Sequence, residues 1–145
     1  MVDTFLKNRS HPMTTVDQGE FSHYRINDLN FTGADLVIKN RRIWEWFWTI
    51  HSAGITPPPL LPDIDFSEEM VIAAILGTQR SGGGPPGIQV LEINTDERGD
   101  CLHVLIQDNF EEGLLPVITN PFHIVRLETL QASSVVFEHQ KQPEE

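Results

Sequence analysis

The stretch Gly77-Thr78-Gln79-Arg80-Ser81-Gly82-Gly83-Gly84-Pro85-Pro86-Gly87 is the first place to look for chemistry in this chain. Positions 82–87 satisfy G-x-G-x-x-G, the spacing with which a backbone cradles a dinucleotide pyrophosphate. That chemistry needs free N–H groups at the start of a helix. Here Pro85 and Pro86 remove two donors, and the residues that follow read as a strand. No Lys-Ser/Thr pair accompanies the glycines, so a P-loop is excluded as well. What remains is a backbone that admits close approach, with Arg80 as the charged contact for an anion or a partner peptide. Loops of this composition more often simply join two strands.

Asp63-Ile64-Asp65 puts two carboxylates on one side of an extended segment, where a cation would fit between them. No third acidic ligand stands at a recognisable spacing, so solvated carboxylates are the simpler reading. The histidines at 11, 23, 51, 103, 123 and 139 never fall at i, i+2 or i, i+4, and H-E-x-x-H is absent. Ser81 lacks the G-x-S-x-G elbow of a nucleophile. Cys101 opens a strand and reads as a half-buried small residue. Being the sole cysteine, it also excludes an internal disulfide and any multi-cysteine metal site. The spacing therefore predicts no catalytic constellation, no metal and no cofactor. An enzyme or small-ligand site would have to assemble Arg80, Asp63, Asp65 and His123 between helix and sheet.

These residues must be held by one domain, since 145 residues leave little room for two. The chain carries 10 basic and 21 acidic side chains, a net charge of −11. Both halves are acidic, which disfavours a nucleic-acid backbone or an anionic membrane surface as partner. The longest uncharged stretch, Trp46 to Pro62, is broken by Pro57-Pro58-Pro59 and is too short to span a bilayer. No leader is visible at Met1–Lys7, which reads as cytoplasmic, or as exported if a leader has been removed.

Residues 1–17 read as a loose arm, 18–139 as one globular domain and 140–145 as a polar tail. Phe21–Ile26 alternates like a half-buried strand. Thr32 is the expected cap of a helix of about five turns, ending at Gly54. Leu36, Val37, Ile43, Trp44, Phe47, Trp48 and His51 would share its buried stripe. Trp46 lies at the stripe's edge, four residues after Arg42, and reads as core-edge packing or as an anchor for a partner. Strands are expected at Met70–Leu76, buried on both faces, and at Ile88–Ile93, Cys101–Gln107, Phe122–Glu128 and Val135–Glu138. The fold class is thus α+β: a mainly antiparallel sheet of about six short strands, sandwich- or barrel-like, with one long amphipathic helix packed on it.

Three segments in this order, Ile64-Asp65-Phe66-Ser67-Glu68-Glu69-Met70-Val71, Gly77 with Ser81-Gly82-Gly83, and Thr119-Asn120-Pro121-Phe122-His123-Ile124-Val125, resemble the PrcB C-terminal domain family. The resemblance spans about residues 34–138 and includes the Trp-bearing helix and Pro-rich connector. The family is named for a subunit of a bacterial protease complex. The resemblance implies a non-enzymatic accessory domain that binds another protein, a protease among the candidates, and it brings no catalytic residues. Where the family has an aromatic residue after Gly-Gly, this chain has Gly84. The partner-binding residues expected on this reading are Arg80, Ser81, Gly82, Gly83, Gly84 and Trp46.

Overall fold

A computed structural model describes residues 9–21, 33–53, 55–76, 87–108 and 120–141. Its elements are β1 (Arg9–Ser10), β2 (Met13–Phe21), β3 (Ala34–Ile38), α1 (Arg41–His51), β4 (Glu69–Ile75), β5 (Ile88–Thr95), β6 (Cys101–Asp108), β7 (Asn120–Glu128) and β8 (Ser134–Lys141). The strands form two four-stranded sheets. A central sheet has the order β2-β7-β4-β3 and an outer sheet the order β1-β5-β6-β8. Every pairing is antiparallel except β6 with β8. The class is α+β with a mainly antiparallel sheet arrangement and one helix, as expected, and eight strands stand among the described residues.

The molecule is built in three layers, and β4 shows why. Its residues 70–75 are almost wholly uncharged and apolar, so both faces need cover. Met70, Ile72 and Ala74 face the outer sheet with Val90, Ile93, Val104, Ile106, Val125 and Leu127. Val71, Ala73 and Ile75 face α1 with Trp44, Phe47, Trp48, Phe122 and Ile124. β4 pairs with β7 on one side and β3 on the other, the central strand its composition predicts.

The helix is shorter than its stripe suggests. Ala34–Ile38 is a strand, paired with Ile75–Val71 of β4. Leu36 and Val37, expected on one helical stripe, sit on opposite faces of β3: Leu36 joins the aromatic core and Val37 the inter-sheet core. The cap is Asn40, not Thr32. Its Oδ1 accepts the Ile43 N–H at 2.8 Å, satisfying one of the helix's free donors. From there Trp44, Phe47, Trp48 and His51 form the buried face, as their spacing requires. The Trp44 and Trp48 indoles donate to the carbonyls of Pro62 (3.0 Å) and Pro59 (3.2 Å), fastening the Pro-rich connector along the helix.

Within the expected N-terminal arm, the described residues from Arg9 on form strands. β1 pairs with β5 and β2 pairs along β7, so residues 9–17 belong to the sandwich. Of the expected strand Phe21–Ile26, Phe21 ends β2 and the remainder lies outside the described residues. At the other terminus β8 extends through Gln140 and Lys141, two residues into the expected tail. No helix among the described residues is long and apolar enough to cross a membrane.

Candidate functional site

The strand registers place seven strand ends together. Phe21 pairs with Asn120, Ala34 with Ile75, Ile75 with Phe122, Ile88 with Asp108, and Asp108 with Lys141. Gln18 Nε2 donates to the Ile88 carbonyl at 3.1 Å, which brings the two sheets' ends into one place. The chain therefore leaves and re-enters the sandwich at this one end for segments 22–32, 77–86 and 109–119. Arg80, Ser81, Gly82, Gly83 and Gly84 belong to the second of these and lie outside the described residues.

Just inside this end sits His123 on β7, 3% exposed and facing the outer sheet. Its Nδ1 accepts the Val90 N–H at 2.9 Å. A backbone N–H can only donate, so the ring proton is on Nε2, which donates to Thr15 Oγ1 at 2.9 Å. Burial disfavours the charged ring and lowers its pKa to about 4. His123 is thus a neutral crosslink between sheets.

Two register shifts serve the polar groups here. On β2 the shift between Thr15 and Asp17 lets Thr15 face His123 while Asp17, two residues on, faces α1. Without the extra residue both side chains would share one face. Asp17 Oδ2 lies 3.1 Å from His51 Nε2, and His51 stacks between Phe47, Trp48 and the edge of Phe122. The shift on β5 lies between Val90 and Glu92, beside the N–H that His123 takes up.

The structure does not bring Asp63 and Asp65 to His123. Asp65 precedes β4, whereas His123 pairs with Ala74 near its other end. The Asp65 carbonyl accepts the N–H groups of Glu68 (2.9 Å) and Glu69 (2.7 Å), and its Oδ1 accepts the Ser67 N–H at 3.0 Å. Bonds from the Ser67 hydroxyl and N–H hold its pKa below the ordinary aspartate value. Asp65 is a turn-former. The Asp63 carbonyl accepts from Arg126 at 3.4 Å, and its side chain is exposed. The layer between helix and sheet, where a ligand site would have to lie, is filled by the aromatic core.

Trp46 is 61% exposed on the outer side of α1, with Ile43 one turn earlier at 44%. It is not core-edge packing. Cys101 opens β6 and is partly buried, as expected.

A cluster that sequence spacing did not disclose lies at the same end of the sandwich. His139 Nδ1 is 2.8 Å from Asp108 Oδ1 and its Nε2 is 2.7 Å from Asp35 Oδ2. These residues come from β8, β6 and β3, up to 104 positions apart, so no local motif could reveal them.

No family model matches the chain, and no curated protein or solved structure matches it at a significant level.

Proposed function

We propose that the protein is a non-enzymatic binding domain that docks on another protein, a protease on the reading implied by its PrcB-like segments. Docking would use the end of the sandwich from which segments 22–32, 77–86 and 109–119 leave. The observation that supports this reading is the register of strand ends. The strand ends that flank the glycine-rich segment lie beside those that flank segments 22–32 and 109–119, and β scaffolds commonly present recognition loops from one such end. Arg80 would supply charge to a partner carboxylate, and the glycines would let an extended peptide approach the backbone.

The test uses the full chain as bait in a pull-down from its host, then calorimetry with the recovered partner. Arg80→Ala is expected to weaken binding five- to thirtyfold, about 1–2 kcal/mol, with urea unfolding unchanged. Gly83→Val should weaken it further. Unaltered affinity in both variants, with loss in Trp46→Ala, would move the interface to the outer side of α1.

A further inference from the structure

The sandwich is closed differently along its two long sides. On one side the chain itself crosses from β1 to β2, and His11 bridges the crossing: its N–H donates to the Ile93 carbonyl at 2.8 Å and its Nε2 lies 2.8 Å from Thr95 Oγ1. On the other side the edge strands β3 and β8 face each other and are bridged by side chains. Lys39 Nζ donates to the Leu130 carbonyl at 3.0 Å at one end of this seam, and His139 joins Asp35 at the other.

The seam rests on an exposed edge strand. Seven of the eight residues of β8 are exposed, and Phe137 alone is half-buried against the inter-sheet core. Among the described residues its one sheet partner is β6, in parallel, the weaker of the two kinds of pairing. The start of β8 is anchored, because the N–H groups of Ser133 and Ser134 both donate to the Asp100 carbonyl at 2.9 and 3.1 Å. Its far half lies along β6 through Lys141, and there His139 is the side chain that reaches across to the other sheet, at Asp35.

We propose that the Asp35–His139–Asp108 bridge is a latch that fastens the C-terminal strand across the open side of the sandwich, closed while the imidazole carries both ring protons and released when it loses one. With both nitrogens protonated, each donates to one carboxylate. With one proton gone, a ring lone pair faces a carboxylate oxygen, and two partly buried carboxylates are left without the cation between them. Side-chain exposures of 22% for Asp35, 32% for His139 and 16% for Asp108 keep solvent screening incomplete. Partial burial pulls the His139 pKa down, but the bonds and charges of Asp108 and Asp35 outweigh it and raise the pKa above the ordinary histidine value.

Among the described residues the charged groups facing His139 are Asp35 from β3, Asp108 from β6 and Lys141, next on its own face and opposite Asp108 in the register. Glu138 points to the other face and meets His103 at 3.0 Å. A raised folded-state pKa means the latch contributes fully below the ordinary value near 6.5 and is lost as pH rises through the folded value. Release would bare the β6 edge and the inner side chain of Phe137, leaving a strand edge for an extended partner.

The experiment is amide hydrogen exchange of the full chain, read as protection factors so that intrinsic rates divide out, with NMR titration of the imidazoles alongside. In wild type the β8 amides from Phe137 to Lys141 should lose protection between pH 6 and pH 9, in the direction the raised His139 pKa requires, while β4 amides hold theirs. His139→Gln should be poorly protected at both pH values. Asp35→Asn should lower the His139 pKa and move release to lower pH. His103→Gln controls for the other histidine between the same two strands and should leave the wild-type response intact. A His139 pKa at or below 6.5, wild-type β8 protection that does not change with pH, or a response lost in His103→Gln and kept in His139→Gln would each overturn the latch.

Discussion

His123 on β7 and Val90 on β5 are joined by a 2.9 Å bond from the Val90 N–H to His123 Nδ1, so one neutral imidazole ties the two sheets together. The ring works only without its second proton. Protonation at Nδ1 would set a donor against a donor inside the core.

Acid should therefore weaken this protein through His123. Its folded pKa is about 4, while an unfolded histidine titrates near 6.5. Between those values the unfolded chain holds a proton that the folded chain lacks, so stability is complete above pH 6.5 and falls as pH drops toward 4. The loss from this one group is about 2 kcal/mol between pH 7 and pH 5. Urea unfolding at the two pH values should show His123→Asn less pH-dependent than wild type by that amount. Equal dependence would remove His123 from the account. His139 acts with the opposite sign, which is why the comparison is between variants.

Thr15→Val keeps the shape of the side chain but strands the buried Nε2–H of His123, which now donates to Thr15 Oγ1. The expected cost is about 1–3 kcal/mol, the range for leaving one buried donor unpaired. Chemical denaturation would measure it, and a change within a few tenths would mean that water takes over the bond.

Two tryptophans two residues apart should behave in opposite ways. Trp44 is 1% exposed, stacked on Phe47 and bonded to Pro62, so Trp44→Ala should cost about 3–5 kcal/mol. Trp46→Ala should cost less than about 0.5 kcal/mol, because its ring lies in solvent. Similar midpoints for the two variants in urea would contradict this assignment of faces.

Gly33 enters β3 at φ +96, and a Cβ there would run into the carbonyls of Ile75 and Leu76. Those carbonyls belong to the backbone at and just after the end of β4 and cannot swing aside as a flexible side chain would. Gly33→Ala should destabilise by about 2 kcal/mol or more from backbone strain alone, read as a lowered thermal midpoint.

Much of the scaffold can be read from residue order. Met70–Ile75 is apolar on consecutive positions, which only a strand covered on both faces tolerates in so short a run. Ile88–Thr95 and Cys101–Asp108 alternate around the polar turn at Asp96–Asp100, and they pair as a hairpin. Trp44, Phe47, Trp48 and His51 recur at helical spacing and form the buried face of α1.

Other assignments depended on partners that local sequence does not contain. Leu36 and Val37 stand seven residues before Ile43 and Trp44, a separation that suits a helix, yet Ala34–Ile38 has a stronger option in the unpaired edge of β4. β2 is polar because it is an edge strand, and a register shift sends Thr15 and Asp17 to opposite faces; neither feature has a periodic signature. His123 was legible as a titratable residue, but its partners Thr15 and Val90 lie on other strands, and Asp63 and Asp65, which a ligand site would have needed beside it, stand at the approach to β4. The Asp35–His139–Asp108 bridge is the extreme case. Its side chains meet only after β3, β6 and β8 have been brought to one end by the packing of two sheets, so hydrophobic periodicity determined the layers and the closing of the layers determined which charges touch.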